Sequence, residues 1–267
     1  KYLTDNKYKN AELADLRKSF EEVTGEDLMW FFNQWWLSKG HPILDITHEY
    51  DPKTKSVVLT VKQTQVEAEG PIFRIPTKVD IYVNGKKETK VIDIVDRAMS
   101  FTFPVEAAPQ LVDFDADKVL LCEKTEDLSV AENIYKYYNT SLYKDKEEVL
   151  DALSYSVKDN AAVQEVFFKA LQDKNWYTRI DALDYLEPSK FSNKAKLSLA
   201  LQKMINTDSC SQVREKALNT LAAFEKENMV TVLENSLKND SSILVKAAAL
   251  NQLEVYNKSK AYKYAIQ

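Results

Sequence analysis

Glycine is scarce in this chain, with four among 267 residues, at positions 25, 40, 70 and 85. They never cluster, so no glycine loop can cradle a phosphate, and no G-x-S-x-G nucleophile turn occurs. Histidine is scarcer: His41 and His48 are the only two. Their spacing does not match the i, i+4 pair that puts two imidazoles on one helix face, and both read as ordinary turn and strand residues. The two cysteines, Cys122 and Cys210, fall in segments of different character and form no C-x-x-C, so both are expected as unpaired thiols. No apolar run approaches the ~20 residues that cross a bilayer, and the opening KYLTDNKYKN has no signal-peptide core. Positive charge is also lacking. The net charge is −5 and neither half of the chain is basic, which excludes a nucleic-acid footprint.

What is present is the composition of a folded protein, 45% hydrophobic and 29% charged. Lys1 is not a start methionine, so the chain reads as a piece of something longer, and its compartment stays open.

Three of the four tryptophans, Trp30, Trp35 and Trp36, lie in Thr24 to Pro42. Thr24 with Asp27 reads as a capping-box-like helix start, and Gly40 with Pro42 as the stop. Leu28 to Leu37 leaves almost no polar face, so this helix is expected to be covered on several sides. Before it, Leu13, Leu16, Phe20 and Val23 mark a second amphipathic helix ended by Gly25. The pair is a helical hairpin too small to stand alone. Trp30, Phe31, Trp35 and Trp36 are the candidate interface residues between this hairpin and the next domain of the chain.

After Pro42 the period changes to two. Strands are expected over 44–50, 57–61, 72–83, 89–95, 100–105, 110–114 and 119–123, with Asn84-Gly85 as a two-residue hairpin turn. Seven short strands without an intervening helix predict an antiparallel β-sandwich over 41–125.

From about residue 126 onward the pattern is helical and repeats. Asp173, Asp208 and Asp240 each stand six residues before Arg179, Arg214 and Lys246, and each basic residue is followed by Ala, Leu and Leu at fixed offsets. The pattern D-x5-[RK]-x2-A-L-x2-L predicts a HEAT- or armadillo-like solenoid over 126–267. Each Asp is expected to cap the second helix of its pair, and each base to reach a neighbouring repeat's Asp, as a structural ladder of mild energetic weight. Asn133 to Val157 fits the repeat poorly, as a first, atypical repeat at a domain boundary often does.

Val23-Thr24-Gly25-Glu26-Asp27-Leu28, Trp30-Phe31-Phe32, Gln34-Trp35 and Gly40-His41-Pro42 resemble the end of the catalytic domain in the aminopeptidase N family of zinc metallopeptidases, the gluzincin aminopeptidases. There a G-x-D-L-x-W-F-F-x-Q-W pattern precedes a β-sandwich and then a C-terminal helical domain. The resemblance covers Lys1 to about Glu123 and implies that residues 1–40 are the tail of a thermolysin-like catalytic domain. It also implies a parent that uses zinc to remove N-terminal residues from peptides, with the helical domain closing over the cleft.

The family's H-E-x-x-H and G-x-M-E-N motifs are missing here, and no tyrosine has the neighbours of its transition-state residue. No catalytic or metal-binding residue is therefore expected within this chain, and zinc is expected in the parent. The implied partners are the parent's N-terminal and catalytic domains and peptide substrates. The alternative is a non-catalytic, peptidase-like or HEAT-repeat protein-binding scaffold.

Overall fold

The structure, a computed structural model, describes residues 1–266. The chain divides into two compact units, Lys1–Leu128 and a second beginning at Ser129. The first takes in both the hairpin of residues 1–40 and the strands of 41–125.

The first unit opens with α1 (Tyr2–Asp5), α2 (Leu13–Thr24) and α3 (Met29–Trp35). Thr24 does not start the aromatic helix. Its hydroxyl donates to the Phe20 carbonyl at the end of α2, where Gly25 at φ +75° forms the left-handed cap. The helix α3 starts instead where the Asp27 carboxylate accepts the Met29 N–H at 2.8 Å, and it stops after Trp35, short of Gly40. The sequence pattern overestimated its length because the apolar run continues through Trp36 and Leu37 after the helix has ended.

Seven strands come next: β1 (Ile43–Asp51), β2 (Ser56–Gln63), β3 (Ile75–Val83), β4 (Lys86–Ile94), β5 (Ala98–Pro104), β6 (Leu111–Phe114) and β7 (Glu123–Glu126). They make two small sheets, ordered β5-β2-β1-β7 and β4-β3-β6. Val57, Leu59 and Val61 of the first sheet share one core with Ile75, Val79 and Ile81 of the second. Asn84 and Gly85 both take positive φ and join β3 to β4 with Val83 opposite Lys86.

One expectation fails at the end of this unit. Not every pairing is antiparallel, because β7 runs parallel to β1, with Ile43 opposite Glu123. Residues 119–122 are not a strand either. The Asp115 carboxylate accepts the N–H groups of Val119 and Leu120, which takes those donors away from any ladder.

The second unit is entirely helical: α4 (Val130–Asn139), α5 (Tyr143–Ser154), α6 (Ala161–Ala170), α7 (Trp176–Tyr185), α8 (Lys194–Thr207), α9 (Ser211–Phe224), α10 (Met229–Asn239), α11 (Ile243–Tyr256) and α12 (Lys258–Ala265). Its core collects the repeated residues, among them Ala182, Leu183, Ala217, Leu218, Ala249 and Leu253. The poorly fitting stretch is also a repeat. Lys146, Val149, Leu150 and Leu153 of α5 occupy the positions of base, Ala, Leu and Leu. Thr140 stands where later repeats have Asp, and its hydroxyl accepts the Leu142 N–H.

Candidate functional site

The four aromatic residues singled out in the sequence come together on one side of α3. Trp35 rests on the buried ring of Phe73 at 5.3 Å, and the Arg74 guanidinium lies over Trp30 at 4.6 Å. Asp93 holds that guanidinium in place at 2.7 Å. Phe31 touches the rings of Trp30, Trp35 and Trp36. With Arg74, Pro76 and Leu121 from the strands and their loops, the four line an open, largely apolar groove of about 520 Å³.

Coverage of α3 is one-sided. Phe32 is its one fully buried residue, while Trp30, Phe31 and Trp35 are half-buried. Trp36 is 52% exposed, and Leu37 and Leu121 are more exposed still. The expectation of cover on several sides is therefore corrected for Trp36. Its ring stacks on Phe32 at 4.9 Å and turns its other face outward. Apolar surface gathered like this marks a place where other protein mass or a ligand binds.

The histidines do not build a metal site. His41 pairs with Glu123 at 2.9 Å near the start of β1, whereas His48 sits opposite Leu59 within that strand. Five residues of strand separate Ile43 from His48, roughly 17 Å, too far for two imidazoles to share a tetrahedral ion. Among the described residues no group of three His, Cys, Asp or Glu side chains is placed to hold a metal. Cys122 and Cys210 are both half-buried.

In the second unit the repeated charges form a ladder. Arg179 grips Asp208 through two bonds of 2.7 Å, and Arg214 grips Asp240 through two of 2.8 Å. Each arginine also donates to the carbonyl of its own repeat's Asp, Arg179 to Asp173 at 2.7 Å and Arg214 to Asp208 at 2.9 Å. One guanidinium thus ties two successive inter-helix turns together. A further rung, Lys146 to Asp173 at 2.6 Å, comes from the atypical first repeat, whose ladder base the sequence pattern did not single out. Its signal was legible in the Lys-Val-Leu-Leu spacing but not in the Asp, which is Thr140 there.

Two details differ from expectation. None of the three Asp residues caps its second helix; each accepts the N–H two residues on, at Asn175, Cys210 and Ser242, the N-cap positions themselves. The carboxylate shapes the turn that leads into the helix. The pairs are also largely buried, with side chains 11% and 7% exposed for Arg179 and Asp208, so the weak energetics of a surface pair do not apply. The Arg214 hydrogen bond holds the Asp240 carboxyl below its usual range. Burial opposes ionisation of Asp173, yet the bonds from Lys146 and the Asn175 N–H outweigh it and lower its pKa as well. Lys246 is the corresponding base on α11, and its charge adds to the lowering of the Asp240 carboxyl. Among the described residues no carboxylate lies within ion-pairing distance of Lys246.

A second cluster on α5 and α7 gave no sequence signal, because its members are unremarkable one by one. Burial and neighbouring carboxylates push the Tyr185 phenol up to about 12, and burial raises the Asp181 carboxyl.

Comparison with known proteins falls on both units. A family model described as HEAT repeats matches residues 164–254. The chain is 26% identical over 127 residues to aminopeptidase N of Escherichia coli, covering 42% of this chain and 14% of that protein. It is 26% identical over 196 residues to aminopeptidase N of Haemophilus influenzae, covering 58% and 22%. In fold it is similar to the crystal structure of Legionella pneumophila aminopeptidase A in complex with aspartic acid, with a TM-score of 0.71, 15% identity, and coverage of 98% of this chain and 37% of that chain. The chain thus has an aminopeptidase-like fold with a HEAT-type helical repeat region, and it spans a minor part of the length of each relative.

Proposed function

We propose that this chain is the C-terminal, non-catalytic portion of a zinc-dependent aminopeptidase that removes N-terminal residues from peptides, and that it shapes and closes the substrate cleft. The observation that carries this reading is the open aromatic groove of Trp30, Phe31, Trp35 and Trp36. It lies on the segment whose residues resemble the end of a catalytic domain, and its apolar surface suits the docking of that domain's remaining mass. In this reading the two sheets are the β-sandwich that comes after the catalytic domain, and the helical repeats are a curved wall held in register by the arginine ladder. Zinc, its ligands and the general base belong to the part of the polypeptide that this chain does not contain. Peptide substrates reach this chain only as a boundary of the cleft.

A second reading, a protein-binding scaffold of HEAT type, is favoured by the repeat match over 164–254. The coding sequence upstream of Lys1 separates the two: H-E-x-x-H supports the peptidase, and its absence supports the scaffold. The decisive assay is hydrolysis of aminoacyl-arylamides. The full-length protein should turn over in a chelator-sensitive way, and residues 1–267 alone should not, since loss of even one catalytic element typically costs ~10²–10⁴-fold. Chelator-sensitive turnover by residues 1–267 alone, or stoichiometric zinc on them, would overturn the assignment.

A further inference from the structure

Asp173, Asp208 and Asp240 each receive a base from the repeat before, Lys146, Arg179 and Arg214. Asp181, in the middle of α7, is placed differently. Among the described residues no base lies within ion-pairing distance of it, and its Oδ2 is shut off from solvent without a hydrogen-bond partner. A carboxylate oxygen enclosed in this way is unfavourable whenever it carries charge.

The groups around it increase that penalty. α5 packs against α7 and brings Tyr143, Lys144 and Glu147 to this side chain, and α7 itself brings Asp184. Lys144, the one cation among them, is bonded to Glu147. α9 packs against α7 as well, and its Lys216 is bonded to Asp184. The Tyr185 hydroxyl, one turn further along α7, donates to Glu147 at 3.5 Å. α6, the third helix against α7, carries Glu165 and Lys169, and neither is among the groups that shift Asp181. Both nearby bases are thus engaged by other carboxylates. Burial, with Glu147 and Asp184 adding to it, raises the Asp181 carboxyl above its ordinary range, and Tyr143 and Lys144 work the other way without outweighing them.

A neutral Asp181 has an O–H to give to an acceptor, whereas the anion repels the carboxylates beside it. We infer that Asp181 makes the contact between α5 and α7 a proton-operated joint: with a proton on this carboxyl the two helices close on each other, and loss of that proton loosens the first repeat against the second. The folded chain holds the proton more tightly than the unfolded chain does. The stability gained from the neutral group is therefore fully present below the unfolded carboxylate pKa of ~3.9 and is lost as pH rises through the folded value, the reverse of the sign at Asp173 and Asp240. This inference is independent of the proposed function.

Amide hydrogen exchange of residues 1–267, corrected for its intrinsic pH dependence, tests it. Protection in α5 and α7 should be higher at about pH 4.5 than at about pH 7. Asp181→Asn, neutral at both, should slow exchange in these two helices by about threefold or more at the higher pH and remove their pH difference, while α10 and α11 exchange as in the wild type. In the unaltered chain, a carbon-13 titration of the side-chain carboxyls should place Asp181 above the ordinary aspartate value. An Asp181→Asn variant that keeps the pH difference in α5 and α7 overturns the inference. So does an Asp181 carboxyl that titrates at or below the ordinary value.

Discussion

Gln34 holds the backbone of Arg74 at both ends of one peptide-like pairing: its amide nitrogen donates to the Arg74 carbonyl at 3.0 Å, and its amide oxygen accepts the Arg74 N–H at 2.6 Å. A side chain on a short helix thus replaces a missing strand neighbour. That clamp fixes α3 against the strands and sets which of its aromatic rings face inward.

The cost of truncating those rings should follow their placement. Trp35→Ala removes the ring that covers Phe73 and should destabilise the chain by ~3 kcal/mol. Trp36→Ala, at a ring half open to solvent, should cost about 1 kcal/mol or less, and Gln34→Ala about 1 kcal/mol through the two lost bonds. Thermal melting of the three variants checks the order. A Trp36 variant that melts below the Trp35 variant would show that α3 packs the other way round.

The ladder pairs should behave as buried pairs. Arg214→Ala leaves the Asp240 carboxylate without its bidentate partner in a mostly enclosed place and should cost ~3 kcal/mol. Arg214→Lys keeps the charge but not the fork and should lose a large part of that. A double-mutant cycle on Arg214 and Asp240, read by urea denaturation, should give a coupling of roughly 1–3 kcal/mol. A coupling near zero would mean that the pair contributes no more than an exposed surface pair.

The same carboxylates predict an acid limit. Asp173 and Asp240 have folded pKa values below the ordinary one, so the stability they contribute is present above the unfolded carboxylate pKa of ~3.9. It is lost as pH falls through the lower, folded values. Denaturation midpoints should therefore drop steeply below about pH 4, and less steeply in Asp240→Asn. Equal slopes for the two proteins across that window would remove Asp240 as a contributor.

Gly40 and Gly25 both take positive φ, at +79° and +75°, but they differ in surroundings. A Cβ at Gly40 would fall onto the Glu69 carbonyl oxygen, whereas at Gly25 it meets open space. Gly25→Ala should cost ~1 kcal/mol from backbone strain alone. Gly40→Ala should cost clearly more, because the backbone of the 69–70 loop must move as well. Equal melting temperatures for the two variants would contradict that close approach.

Much of this protein is written locally and could be read from the chain. The period-two stretches, the Asn84-Gly85 turn and the Asp-to-base offsets each depend on neighbours a few residues away, so spacing alone announces strands, a hairpin and helical repeats. The Lys146–Asp173 rung was present in the spacing of Lys146, Val149, Leu150 and Leu153 but masked by Thr140, which makes the same turn with a hydroxyl. What spacing could not decide was set by contacts far apart in sequence. Asp115 withdraws two backbone donors and moves the last strand to Glu123–Glu126, where it runs parallel to β1. Arg179 and Arg214 become enclosed because neighbouring helices pack around them. Trp36 stays exposed despite its composition, since α3 has one face and the strands below it cover only that one. Hydrophobicity says that a side chain can be buried; whether it is depends on which surfaces the fold brings to meet it.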